Sequence, residues 1–107
     1  MQFKIVLSPF PFLEIDKSKV RPLIVLSVDQ NTCIVAFVTS HIPVVILESD
    51  ILLPIELSNI TNLQKPSVIR LHKMGSIDKS LIQREVGYIP EELTLLIKSK
   101  LKNLFNL

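Results

Sequence analysis

The run Val20-Arg21-Pro22-Leu23-Ile24-Val25-Leu26-Ser27-Val28 constrains the fold most, because a β-branched, apolar segment of this kind suits a strand buried on both faces. It is expected to be the central strand of a sheet. Pro22 fits only at the opening of that strand, since its missing N–H would break a ladder bond further in, and it biases Arg21 towards an extended conformation. A second run, Cys33-Ile34-Val35-Ala36-Phe37-Val38-Thr39-Ser40, follows a polar Asp29-Gln30-Asn31-Thr32 connection that reads as a hairpin turn. Antiparallel pairing of the two runs sets the start of one beside the end of the other. Arg21 is therefore expected near Thr39 and Ser40, a cation and two hydroxyls on one rim of an apolar sheet.

Shorter elements surround this pair. Lys4–Ser8 reads as a first strand, and the two prolines of Pro9-Phe10-Pro11-Phe12 take the chain out of the sheet. Leu13 to Lys19 is a polar loop whose Lys17 and Lys19 lead into Arg21, either as a solvated segment or as an edge that attracts phosphate. Val44–Leu47 and Asp50–Leu57 are β-prone, Ser58–Pro66 reads as loop, and strand resumes over Ser67–His72. Within that strand Val68, Arg70 and His72 share one face while Ile69 and Leu71 share the other. Met74–Ile82 is expected to form a turn and a short helical segment, with a last strand around Arg84–Tyr88. Pro90, Glu91 and Glu92 start a C-terminal helix, in which Leu93, Leu96, Ile97, Leu101, Leu104 and Phe105 form an apolar stripe and Lys98, Lys100 and Lys102 load the later turns. The sum is a mainly β (α+β) fold, an SH3-like barrel of short antiparallel strands with a C-terminal helix.

At 107 residues the chain is expected to be a single domain, 1–107, able to bury a core without a staple. A net charge of +2 permits nucleic-acid binding without announcing it. With 2 glycines there is no Gly-rich phosphate loop, which argues against a nucleotide-dependent enzyme. One cysteine, Cys33, and two histidines, His41 and His72, are too few and too scattered for a zinc site, so no metal or other cofactor is expected. Cys33 is expected to be a buried, inert thiol. No apolar run approaches the length of a membrane-spanning helix and no signal-peptide pattern opens the chain, so a cytoplasmic protein is the expectation.

In joint order and spacing, Ile5-Val6-Leu7 running into Pro9-Phe10-Pro11-Phe12, Ser18-Lys19-Val20-Arg21-Pro22, Val35–Ser40, Lys65–Leu71, Ser76–Ile82 and Pro90–Leu93 resemble the PemK/MazF family of endoribonuclease toxins from toxin–antitoxin pairs. The resemblance implies an SH3-like barrel, usually a homodimer, that cleaves single-stranded RNA without metal. In that reaction the ribose 2′-hydroxyl attacks the adjacent phosphate. It also implies a cognate antitoxin, expected to bind through an acidic, disordered tail. Arg21 matches the family's Arg-Pro arginine, Thr39 the threonine that ends the adjacent strand, and Arg70 a further arginine of the PemK branch; these carry over as phosphate and transition-state contacts. Lys17, Ser18, Lys19 and Ser40 are candidates for RNA contact. Phe3-Lys4 stands where the family usually has Gly-Asp, and His72 stands where relatives often have a carboxylate. A histidine there could move protons, with a pKa lowered by Arg70, or could only hydrogen-bond a neighbouring loop. Two functions stay open at this stage: an active mRNA-cleaving toxin, and an inactive module that still binds an antitoxin or nucleic acid.

Overall fold

The computed structural model describes residues 1–10 and 19–107. The strands are β1 (Lys4–Pro9), β2 (Val20–Val28), β3 (Thr32–Thr39), β4 (Asp50–Leu53), β5 (Ser67–Asp78) and β6 (Arg84–Tyr88). They form one six-stranded antiparallel sheet in the order β4-β5-β3-β2-β1-β6. Among the described residues two α-helices accompany it, a single turn α1 (Ser58–Thr61) and the C-terminal α2 (Glu91–Phe105). The fold is thus mainly β, a curled half-barrel with a C-terminal helix.

The β2 run lies inside the sheet between β1 and β3, and Leu23, Ile24, Val25 and Leu26 are all buried, as a strand covered on both faces requires. Pro22 does not open it. It is the third residue of β2 and pairs with Leu7 on β1, whereas the ladder to β3 starts only at Leu23. At that end β2 pairs on one side alone, which is how a residue without an N–H is accommodated in an interior strand.

Registers sort the core into two faces. Ile5, Ile24, Ala36, Val38, Ile69 and Leu71 pack together under α2, which inserts Ile97 among them at 0% exposure. Val6, Leu23, Val25 and Val35 form a second cluster with Phe10, Cys33 and Ile77 on the other face. The cysteine is buried, as expected, and is a free thiol. Register shifts between Ile5 and Val6, between Val25 and Ser27 and between Ala36 and Phe37 curl the sheet. The last is the largest: Ala36 pairs with Met74 while Phe37 pairs with Arg70, so Leu71-His72-Lys73 bulge out of the ladder.

Five local readings are corrected. Val44–Leu47 is not a strand but an exposed segment, and β4 ends at Leu53 because Pro54 follows and Ile55–Leu57 is a 3-10 turn. The connection from Ser58 contains α1. Met74–Asp78 continues β5 through Gly75, opposite Val35, and only Lys79–Leu81 is helical, a 3-10 turn capped by Asp78 accepting from the Ser80 N–H at 2.9 Å. On α2, Leu93, Leu101 and Leu104 pack on the core as expected, but Leu96 and Phe105 are exposed. The polar loop expected before β2 falls outside the described residues except for Lys19.

Two backbone positions explain how the edge strand β6 and the start of β1 are held. Gly87 sits directly under α1: a Cβ there would lie 2.2 Å from the Thr61 carbonyl oxygen, so only glycine admits this approach. Phe3, in the place of the family's glycine, takes a left-handed backbone with φ 62°. The turn that glycine would ease is kept. Its N–H donates to Val25 O at 2.7 Å, its carbonyl accepts from Ile89 N–H at 3.2 Å, and its ring packs against the α2-side core beneath the Lys98 ammonium. Those contacts offset the steric cost of about 1–2 kcal/mol for an L-residue in this region.

Candidate RNA-binding and active site

The β2–β3 register, carried past Leu23 and Phe37, sets Arg21 opposite Thr39. A cavity of about 270 Å³ opens there, lined by Arg21, Thr39 and Ser40 together with Gln64, Lys65 and Ser67. Arg21 is half-buried, its backbone fixed by pairing with Ser8 on β1. Thr39 closes β3, and its Oγ1 accepts the His41 N–H at 3.0 Å, so the hydroxyl proton remains to be donated elsewhere. Ser67, buried at the start of β5, donates to the Lys65 carbonyl at 3.0 Å and shapes the Gln64-Lys65 connection. Phe37 contributes an apolar wall, its ring stacked on Phe10 at 6.2 Å. The result is a concave site with a guanidinium, an ammonium and hydroxyl donors on an apolar floor, which suits an anionic ligand that also carries flat apolar groups.

Arg70 lies on the same sheet face, since it pairs with Phe37, but it does not line this cavity. Its Nε donates to Asp50 Oδ1 at 3.1 Å, with 15% of the arginine side chain and 0% of the aspartate side chain exposed. His72 lies in the bulge and does not line this cavity either. It lines a separate cavity of about 400 Å³ against Lys100, Asn103 and Leu104 of α2, with its Nδ1 3.9 Å from the same Asp50 oxygen, too far for a hydrogen bond. Its pKa lies below the ordinary 6.5: burial disfavours the imidazolium first and the Arg70 charge second, while the Asp50 carboxylate opposes both. Lys19 is exposed just before β2, and Lys17 and Ser18 lie outside the described residues.

The structure therefore brings Arg21, Thr39 and Ser40 together, sets Arg70 on the same face, and separates His72 from the cavity. Sequence reading missed Gln64, Lys65 and Ser67 as lining residues, although Lys65-Pro66-Ser67 stood out as a motif. It also missed Asp50, whose partner is twenty positions away in sequence. Among the described residues no three His, Cys, Asp or Glu side chains gather as a metal site.

The family model of the PemK-like, MazF-like toxins of type II toxin–antitoxin systems matches residues 1–105, and the chain belongs to that family. Among solved structures, the Mycobacterium tuberculosis toxin MazF-mt6 superposes with a TM-score of 0.77 at 18% identity, over 97% of both chains. An endoribonuclease in complex with its cognate antitoxin, from a mycobacterial species, superposes with a TM-score of 0.73 at 8% identity, over 100% of this chain and 95% of the other. At these identities the likeness is one of fold. No curated protein sequence matches the chain.

Proposed function

We propose that this toxin-family chain is a metal-independent endoribonuclease that cleaves single-stranded mRNA, with the Arg21–Thr39 cavity as the place where the scissile phosphate binds. The observation that carries this reading is the meeting of Arg21, Thr39 and Lys65 around one concave site where the start of β2 lies beside the end of β3. In the reaction the ribose 2′-oxygen forms a bond to phosphorus and the bond from phosphorus to the 5′-oxygen breaks. The 2′-hydroxyl proton leaves to a base and a proton reaches the departing 5′-oxygen, giving a 2′,3′-cyclic phosphate and a 5′-hydroxyl. No protein nucleophile is needed. The transition state carries extra negative charge on the non-bridging oxygens, and donors fixed in place for that charge supply most of the catalysis. Arg21 offers a planar fork of donors that matches phosphate geometry, and Thr39 a hydroxyl proton directed by the His41 amide. Ser40 and Lys65 bind flanking phosphates, as do Lys17, Ser18 and Lys19 on the approach to β2. Arg70 adds its charge from the neighbouring strand. His72, which does not line the cavity, lies 3.9 Å from Asp50 Oδ1 and takes no part at the 2′-hydroxyl.

The partners follow from the same surface. An antitoxin with an acidic, disordered tail would lie along the cations around the cavity and fold on binding. A second copy would cover the apolar groove of about 470 Å³ between the β2–β3 hairpin and the end of α2, where Ile34, Phe105 and Leu107 are exposed. No helix among the described residues is long and apolar enough to cross a membrane, and the proposed substrate places the protein in the cytoplasm.

The test is incubation of the purified protein with a long single-stranded RNA in EDTA. Discrete fragments with 5′-hydroxyl ends are expected, and substitution of 2′-deoxyribose at a mapped site should abolish cleavage there. RNA left intact but bound would instead assign the chain to the second function, an inactive binding module; Phe3 keeping the turn of the missing glycine speaks for the active protein.

A further inference from the structure

Directly paired residues place Val6, Leu23, Phe37, Arg70 and Asp50 in one row across five strands of the sheet. The row ends in a carboxylate with no exposed side-chain surface, on a four-residue strand. A buried charge is costly unless it is both paired and hydrogen-bonded, and Asp50 is both. Its Oδ1 accepts from Arg70 Nε, and its Oδ2 accepts the Leu47 N–H at 2.8 Å, while its own N–H returns a bond to Leu47 O at 3.0 Å. The carboxylate is thus clamped before it meets the arginine. A guanidinium is planar, so holding Nε fixes the plane of the whole fork and leaves four N–H donors on the two Nη atoms. Arg70 pairs with Phe37, a wall of the Arg21–Thr39 cavity, so the oriented fork stands on the cavity's side of the sheet.

We propose that Asp50 is a positioning residue, locking Arg70 through Nε so that its free Nη edge is presented to an RNA phosphate beside the Arg21–Thr39 cavity; this rests on the RNA-cleaving reading above. Charge alone predicts the opposite of this proposal. Removing a carboxylate makes the protein more positive and should tighten RNA binding, whereas loss of a positioning contact should weaken it.

The experiment follows binding of a labelled, uncleavable 2′-O-methyl RNA by anisotropy over a range of salt concentrations, beside cleavage kinetics on ordinary RNA. Arg70→Ala should flatten the salt dependence by about 0.7 in log–log slope, the loss of one phosphate contact. Asp50→Asn should weaken binding, flatten the slope similarly and lower kcat on the order of 10- to 100-fold. The double variant should be no worse than Arg70→Ala alone. Asp50→Asn binding as tightly as wild type, or losses that multiply in the double variant, would overturn the proposal. Should Asp50→Asn fail to fold, Arg70→Lys decides: it keeps the charge but has no Nε edge for Asp50 to lock, so its cleavage rate is expected to fall towards that of Arg70→Ala, and a wild-type rate would refute positioning. Wild-type protein that binds RNA but never cleaves it would sink the endoribonuclease reading while the binding series still judges Asp50, and wild-type protein that does not bind overturns both.

Discussion

The two faces of the sheet are built from the same strands and differ in what each alternate residue does. Under α2 the side chains of the packed layer are apolar, and Ile97 closes it at 0% exposure. On the other face the apolar cluster stops at Leu23 and Phe37, and the next positions are Arg21, Thr39 and, one strand over, Arg70 with Asp50. One face answers only to packing; the other spends part of its burial on charge and donors. Because side chains alternate along a strand, the same backbone serves both. Substitutions should accordingly fall into two classes, one that removes activity from a folded protein and one that removes the fold.

The largest separation is expected at Arg21. Arg21→Ala should lower cleavage on the order of 10³-fold or more while leaving Tm within about 3 °C of wild type, because its head group lies outside both apolar clusters. A clearly lower Tm would make Arg21 a structural ion-pair partner and would break the comparison between the faces. On the α2 side, Ile97→Ala should cost about 2–5 kcal/mol in denaturant unfolding. Leu96→Ala, at 39% exposure one position earlier, should cost far less, within about 1 kcal/mol. Equal losses at the two positions would mean that α2 is seated differently.

The smallest expected effect belongs to His72. Its pKa is lowered on folding, by burial and then by Arg70, so the unfolded chain takes up a proton more readily than the folded one. Stability held by the neutral ring is therefore complete above pH 6.5 and is lost as pH falls through the window between 6.5 and the lower folded value. Wild-type Tm should decline on going from about pH 7.5 to about pH 5.5 slightly more than that of His72→Gln. Identical declines would show that the ring titrates alike in both states. Cleavage by His72→Gln should keep the wild-type pH profile, since the ring stands outside the cavity.

What could be read from sequence was whatever depended on local pattern or on a hairpin. β2, β3, β6 and α2 fall where period and punctuation put them, and the β2–β3 turn alone suffices to bring Arg21 to Thr39. Val44–Leu47 misled because β-branched composition alone does not make a strand: the segment stays exposed and pairs with no strand of the sheet. Met74-Gly75-Ser76 has turn composition but is held as strand by pairing with β3. Arg70 and His72 were expected to share one face of a regular pleat; both approach Asp50 Oδ1, at 3.1 and 3.9 Å, and neither lines the Arg21–Thr39 cavity. The bulge after Arg70 is a property of the paired strand, invisible in either strand alone. Asp50 escaped for the same reason, since its burial and its partner exist only once β4 lies beside β5.

The central claim is that Arg21 meets the scissile phosphate, and sulfur substitution at that phosphate tests it most directly. Once a cleavage site is mapped, oligonucleotides carrying a single phosphorothioate of each stereochemistry at that bond are compared as substrates for wild type and Arg21→Ala. Wild type should cleave one diastereomer much more slowly than the other, because sulfur in place of the oxygen that accepts from the guanidinium weakens that contact, and Arg21→Ala should lose most of this preference. Undiminished discrimination by Arg21→Ala would contradict the account and move the phosphate away from the end of β2.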